Sequence, residues 1–285
     1  MTTVQQLIDR VRREYLPGRN EPINRLTTTI TDSDTSVAVD FAEAALAAGT
    51  RISIELEDIR VWSVSGQTAT VARGLEGTTA AAHDAGVIVR VDPQWSDFQI
   101  LRALNDTIRG FVGDGVYAMN VAEDTFTTAY VGWELPEDCL SVYQVWAHES
   151  GSEREWVPLR GWQVARSQST TDFASGLSLS FTREFPDEAE PFRIQYRAAI
   201  AELVGLTDTV SDSGTTNEVL LALGAAVKLT QGEERTRNTL PASARYQEIP
   251  PGARTGVNRE LRRAYMAELA AEKARLARFY PSIRR

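Results

Sequence analysis

Side chains able to do chemistry are few in this chain, and their spacing decides what they can do. His83 and Asp84 stand side by side in a Gly-rich stretch, the pairing that an oriented general base uses. No serine or cysteine in a recognisable nucleophile context accompanies them, so the expected role of His83 is a corner residue bonded to local backbone. Two carboxylate clusters, Glu55-Glu57-Asp58 and Asp187-Glu188-Glu190, lack the Asp/Asn-rich loop spacing of a calcium site. Alternation in the first cluster and the loop setting of the second place both on solvated faces. Gly113-Asp114-Gly115-Val116-Tyr117-Ala118 loosely matches a dinucleotide fingerprint, but it follows a helix and opens no βαβ unit. A single cysteine, Cys139, excludes an internal disulfide and reads as a small buried residue. With only His83 and His148 besides, neither a cysteine-based nor a histidine-rich metal site is expected. Trp133, Trp146, Trp156 and Trp162 are concentrated in one segment. They could make a sugar-binding platform, but their spacing shows no single exposed row, and packing is the commoner use of tryptophan. The sequence therefore predicts a non-enzyme with no metal and no cofactor.

Composition sets the frame. At 285 residues, 42% apolar and 24% charged, the chain can bury a sizeable core in one large or two ordinary domains. No apolar run approaches the length of a membrane span. The first helix begins at once, with no basic n-region and apolar h-region, so no cleaved signal is expected; a reducing cytoplasm, or a particle assembled there, is the expected compartment. The net charge of −9 is uneven. Residues 252–285 hold nine arginine and lysine residues against three glutamates, a charge of +6, which leaves −15 on residues 1–251. A basic tail on an acidic body has three readings: an amphipathic helix packed on its own body, a nucleic-acid arm, or a segment inserted between subunits of an acidic partner. The acidic body opposes the second. The proline-bearing linker before the tail favours the third.

The elements that must position these residues follow from periodicity. Residues 3–16 read as a helix that Thr3 can cap, with Val4, Leu7, Ile8, Val11 and Tyr15 on one face and Pro17-Gly18 as its stop. Period-two runs predict strands at Leu26–Thr31, Ser36–Phe41, Arg51–Leu56, Ile59–Ser65, Thr68–Arg73 and Val87–Val91, with a tight turn at Gly66 and a short helical turn at Thr78–Ala85. Ser96–Phe111 carries a capping box, Ser96 with Gln99. A second β region follows, with strands expected at Phe126–Val131, Leu140–Ala147, Glu155–Leu159, Leu177–Thr182 and Phe192–Ala198. Thr215–Gln231 is helical, with Thr215 and Glu218 as its capping box. Gly232–Gly256 reads as a polar linker, and a last helix runs from about Asn258 to Tyr280. Each helix has one apolar stripe and needs a partner. The economical packing is an α+β protein: a small helical bundle frame with two all-β insertions and an extended basic C-terminal helix. Its parts are helical frame at 1–18, a small β-barrel or sandwich at 19–94, helical frame at 95–118, a second β domain at 119–200, helical frame at 201–235, and linker with basic helix at 236–285.

One stretch carries a resemblance. The run Val71-Ala72-Arg73-Gly74-Leu75-Glu76-Gly77-Thr78-Thr79-Ala80-Ala81-Ala82-His83-Asp84-Ala85-Gly86-Val87-Ile88-Val89, then Pro93, Trp95 and the helix ending Ala103-Leu104-Asn105, is similar to an RG-x-x-GT-x-A-x-x-H-x-x-G-x-x-V signature of virion proteins of long-tailed bacteriophages. With the basic C-terminal helix, the chain resembles their head-to-tail connector (adaptor, or neck) proteins. The resemblance implies a virion neck protein, assembled in the host cytoplasm, that forms a homo-oligomeric ring beneath a twelve-fold portal. It also implies a core that is a small helical bundle. Such a ring extends the channel through which genomic DNA passes without sequence-specific binding, and it offers a platform to the next neck or tail protein. The docking segment would be the basic tail. Arg254, Arg259, Arg262, Arg263, Arg275, Arg278, Arg284 and Arg285 would make charge-assisted contacts to the portal, and Tyr265, Leu269, Leu276, Phe279 and Tyr280 would anchor it. The alternative is another tail or baseplate protein whose second β domain binds glycan or host.

Overall fold

The computed structural model describes residues 2–16, 21–41, 46–148, 156–210, 217–239 and 253–280, with backbone alone at 232–239 and 253–257. Among these residues the chain forms thirteen strands in three sheets and four helices. It divides into two compact units: residues 1–108, 202–212 and 216–271, and residues 109–201, 213–215 and 272–285.

The first unit is built on one antiparallel sheet. Its strands are β1 (Ile23–Arg25), β2 (Ser36–Ala38), β3 (Arg51–Ile54), β4 (Glu57–Ser65), β5 (Thr68–Ala72) and β6 (Ile88–Val91), in the order β1-β6-β3-β4-β5-β2. The two end strands also meet. Leu26 and Val39 form an antiparallel bridge, and Thr27 N–H donates to the Ala38 carbonyl at 3.0 Å. The sheet therefore closes on itself, which satisfies the edge groups that an open sheet leaves bare. Its interior is packed with β-branched and leucine side chains, among them Leu26, Ile30, Val37, Ile52, Ile59 and Val89. Gly66, at φ +60°, makes the tight β4–β5 turn that its position in the sequence requires.

Helix α1 (Val4–Arg10) runs on into a π-helical turn at Val11–Tyr15. Thr3 and Gln6 form a reciprocal capping box, and Val4, Leu7, Ile8 and Val11 are buried. Helix α2 (Asp97–Asp114) starts at the expected box: Gln99 N–H donates to Ser96 Oγ at 3.2 Å, and Ser96 N–H to Gln99 Oε1 at 3.1 Å. Helix α3 (Glu218–Thr239) begins later than Thr215, which lies outside the described residues. Its cap is Asn217, whose side chain accepts from Leu220 N–H at 3.0 Å. The helix continues past Gln231 to Thr239, and α4 (Ala253–Phe279) starts before Asn258. Both take residues assigned above to the linker; its remaining stretch, 240–252, and the Pro17-Gly18 stop lie outside the described residues.

The second unit layers two sheets. One has the order β10 (Trp156–Pro158), β9 (Cys139–His148), β13 (Pro191–Ala198), β7 (Ala118–Thr125). The other has β11 (Trp162–Arg166), β12 (Leu177–Phe181), β8 (Trp133–Glu134). Phe192 of β13 meets Phe181 and Trp133 of the other sheet edge-on, with ring centroids at 5.4 and 5.7 Å, and Phe126 stacks on Trp133 at 5.0 Å. This aromatic cluster is the unit's core.

The expected helical frame with β insertions is overturned. The closed sheet holds its own apolar interior, and the second unit has an aromatic core between sheets, so neither is an insertion that depends on a helical host. Further local readings change. The strand expected at Leu26–Thr31 lies earlier, at Ile23–Arg25, and Trp133–Glu134 and Trp162–Arg166 form strands where none was expected. Thr78–Ala85 forms no helical turn; His83 instead bridges to Ile30 in strand fashion. The strand expected at Phe126–Val131 lies earlier, at Ala118–Thr125. That strand is an edge, and its outward residues face water, so its alternation is weak in sequence.

In the first unit, α3 approaches α2 closely at a glycine. A Cβ on Gly224 would meet Thr107 Cγ2 at 2.2 Å and Thr107 Oγ1 at 2.9 Å. Gly224→Ala gains about 1 kcal/mol of helix propensity, but overpacking at this distance costs about 1–3 kcal/mol and more where backbone must shift. We expect a net loss of stability in urea denaturation. An unchanged or raised midpoint would mean that the two helices do not touch at this point.

Candidate functional site

The densest set of charged groups closes one end of the barrel. Alternation carries Ile59 and Val61 of β4 inward, and Glu57 shares their parity. The hairpin turns at Glu55 and Leu56, since Ile54 pairs with Glu57 across β3 and β4. On β5, Ala69 and Val71 point inward, and Arg73 follows in the same phase. Glu57 and Arg73 therefore meet at the barrel mouth, 1% and 6% exposed at their side chains.

The contacts are saturated. Arg73 grips Glu57 with two parallel bonds, Nε to Oε1 and Nη2 to Oε2, both 2.7 Å. Its remaining N–H groups donate to the carbonyls of Thr31 at 2.8 Å, Asp34 at 3.1 Å and Ala81 at 2.6 Å. Glu57 also accepts from Gly74 N–H at 3.0 Å and Ala81 N–H at 3.2 Å. His83 completes the set, with Nε2 2.9 Å from Glu57 Oε2 and Nδ1 2.7 Å from Glu55 Oε2. Burial opposes the charge on Glu57, but these donors outweigh it and hold its pKa down at about 2. Burial likewise opposes the charge on His83, and its two carboxylate partners outweigh that and raise its pKa.

Both expectations for these residues change. His83 binds two carboxylates through its ring, not local backbone, and the Glu55-Glu57-Asp58 cluster is not a solvated face. Asp58 is fully buried, with Oδ2 accepting from Ser96 Oγ at 2.9 Å, which ties the start of α2 to the barrel. Burial pushes the Asp58 carboxyl above its ordinary pKa. The signal that could have shown this is the hairpin: a two-residue turn after Ile54 keeps position 57 on the inward phase.

The corner is structural chemistry. A histidine with both nitrogens held by carboxylates is a poor general base, and Glu57 has no lone pair left for a substrate. The phage-like signature maps onto the same corner. Arg73 and His83 hold Glu57. Gly74 sits at φ +66°, where a Cβ would meet backbone atoms of Thr78 and Ala80 at 3.3 Å. Thr78 Oγ1 donates to the Leu75 carbonyl at 2.7 Å and accepts from Asp58 N–H at 3.2 Å.

Beside it lies a cleft of about 210 Å³ lined by Gln5, Asp9, Ser53, Glu55, Arg90 and Asp97 among others. Its charges are already matched. Asp97 pairs with Arg12 and, at 3.8 Å, with Arg90, while Glu55 pairs with His83. Among the described residues, no group of three or more His, Cys, Asp or Glu side chains could hold a metal ion. No described helix is long and apolar enough to cross a membrane. Cys139 is buried, which lifts its thiol pKa to about 11.

Helix α4 holds most of the residues assigned to partner binding. Arg259, Arg262, Arg263 and Arg278 are exposed, as are Met266 and Phe279. Leu269 and Leu276 are buried within the protein itself. Asn217 Nδ2 donates to Glu268 at 3.0 Å, and Asn258 to the Thr230 carbonyl at 3.4 Å, so this part of α4 packs along α3. Arg275 is bidentate on buried Glu272, and Tyr280 lies edge-on to Tyr143 at 5.9 Å. Tyr265 is half-buried. Only the backbone of Arg254 is described, and Arg284 and Arg285 lie outside the described residues.

Two of the four tryptophans share a face, while Trp133 is buried in the aromatic core and Trp162 lies on the three-stranded sheet. Phe192, Ile194 and Tyr196 of β13 point inward, so Arg193 points outward, paired across the sheet with Trp146; one register step on, Trp156 pairs with His148. Trp146 and Trp156 are diagonal neighbours on the outer side of the four-stranded sheet.

No protein-family model matches the chain, and no curated protein matches it in sequence.

The corner makes stability depend on pH in two directions. The contribution of His83 is complete below its ordinary 6.5 and fades as pH rises through its higher folded value. That of Glu57 is complete above 4.5 and fades as pH falls toward 2. Stability should therefore be flat between these limits with respect to this corner and fall on both sides. Arg73→Met leaves a buried carboxylate without its main partner, at a cost of about 3–5 kcal/mol. Urea titrations across pH check both. An Arg73→Met protein as stable as wild type at pH 6 would contradict the assignment.

Proposed function

We propose that this chain is a virion structural protein of the head-to-tail connector kind, docking on an acidic portal surface through the exposed arginines of α4. The observation that carries this reading is the side-chain distribution on α4. Its leucines and Glu272 turn inward, and Arg259, Arg262, Arg263 and Arg278 are left in solvent on a body that is otherwise acidic. Arginine suits such a surface because its planar fork matches carboxylates in bidentate geometry. The signature around Arg73 and His83 supports the same class by resemblance. The reading no longer includes a helical-bundle core. It also narrows the docking set: Leu269 and Leu276 serve the protein's own packing, and Met266 and Phe279 are the apolar side chains available beside the arginines.

In this reading the chain assembles into a ring under the portal, with the next neck or tail protein below it. Its acidic body offers DNA a wall that does not grip phosphates. Reversing charge tests docking without stripping α4 from its own core, as a truncation would. The triple variant Arg259→Glu, Arg262→Glu, Arg263→Glu should keep the wild-type melting temperature. It should lose the ring at the portal exit in electron micrographs, and wild-type association should weaken with added salt. Rings at wild-type occupancy with the triple variant would overturn the docking role.

A further inference from the structure

We propose that β7, the open edge of the four-stranded sheet, pairs with β7 of a second copy of this chain about a two-fold axis at Val121. The inference rests on the backbone of that strand and on Arg197 beside it, and it is independent of the connector reading.

The phase of the edge is fixed at its end. Phe126 N–H donates to the Glu190 carbonyl and Ala189 N–H to the Phe126 carbonyl, both at 3.0 Å, in a one-residue bulge with Ala189 at φ +64°. Bonded positions on an antiparallel strand recur every second residue. Asp124, Ala122, Asn120 and Ala118 therefore bond to β13 across their register. Met119, Val121 and Glu123 lie between them and turn their N–H and C=O groups away from the sheet. Among the described residues nothing bonds to those groups. The run ends at Thr125, whose N–H is taken by Asp124 Oδ1 at 2.7 Å. Proteins usually keep such edges short, blocked or closed. This chain does so elsewhere: β10 is three residues and contains Pro158, β8 has two, β11 has five, and the first unit's sheet closes on itself. β7 is eight residues long, without proline, lysine or arginine. Val121, near its centre, is 56% exposed.

Side chains select a second copy as the occupant. Antiparallel pairing about Val121 sets Val121 against itself, Met119 against Glu123 and Ala118 against Asp124, so no carboxylate faces another. Centring the pair on Glu123 would set like charges opposite each other, which is unfavourable. The chosen register forms about six backbone hydrogen bonds, two at each of three residue pairs. It also supplies what Arg197 lacks. That guanidinium lies over the Tyr117 ring at 4.7 Å, its Nε has no hydrogen-bond partner, and no carboxylate pairs with it among the described residues. Tyr117 shares the outward phase of Met119, and in the pair it stands opposite Thr125 and diagonal to Glu123 of the second copy. Diagonal neighbours are about 7–8 Å apart, within reach of long side chains. Glu123 is ion-paired with Arg193 of its own chain through one oxygen, which leaves the other for Arg197 of the second copy. The two-fold axis makes this contact twice.

The test uses the purified full-length protein. Light scattering after gel filtration should show a mass that rises toward two chains as the concentration approaches about 100 μM, an affinity in keeping with a small interface. Hydrogen exchange locates the contact: the amides of Met119, Val121 and Glu123 should gain protection as concentration rises, while those of Ala118, Asn120 and Ala122, already bonded to β13, should not change. Val121→Lys puts two like charges on the axis without touching a bond to β13. It should keep the fold and weaken the dimer by about tenfold or more, whereas Val121→Thr should pair as wild type does. The proposal is overturned if the protein stays monomeric at every concentration, if a dimer forms without protection of those three amides, or if folded Val121→Lys dimerises as wild type does.

Discussion

The bidentate grip of Arg73 on Glu57 is the interaction on which the first unit depends. An ionised carboxylate taken from water into a barrel mouth costs several kcal/mol unless its acceptors are filled. Here they are filled from all sides: by the guanidinium, the imidazole of His83 and two backbone N–H groups. The donors all lie in the segment from Arg73 to His83, 16–26 residues on from Glu57, so the carboxylate can be satisfied only when that segment folds back over the barrel end. Arg73 in turn holds the carbonyls of Thr31 and Asp34, which brings the β1–β2 connection to the same point. One charge thereby fixes three stretches of chain and closes the sheet at that mouth.

The residues that carry the resemblance to phage neck proteins are spent on closing a barrel. Their constraint is geometric: a glycine where a side chain would strike backbone, a threonine bonded to a neighbouring strand, a histidine between two carboxylates. None is left over for a ligand. The exposed arginines lie elsewhere, on α4.

The sequence made some of this legible and concealed the rest for physical reasons. The Thr3 cap, the capping box at Ser96, the hairpin at Gly66 and most strands were readable because each depends on neighbours within a few residues. The choice between barrel and sandwich was not, since closure rests on Leu26 meeting Val39 across a sheet whose other strands intervene. Glu57 was misjudged because charge is normally a sign of exposure, and its partners arrive from 16 and 26 residues away. The leucine stripe of α4 announced a need for a partner without saying whose surface would supply it. The tryptophan face was hidden for the same reason: only the β9–β10 register places Trp146 beside Trp156.

The most direct check on the central interaction is the protonation state of His83, read by NMR titration of its ring carbon-bound protons in the folded protein. With both nitrogens held within hydrogen-bond distance of carboxylates, the ring should titrate above 6.5. A titration at or below 6.5 would show that His83 is not held between Glu55 and Glu57, and the account of how this barrel is closed would fail.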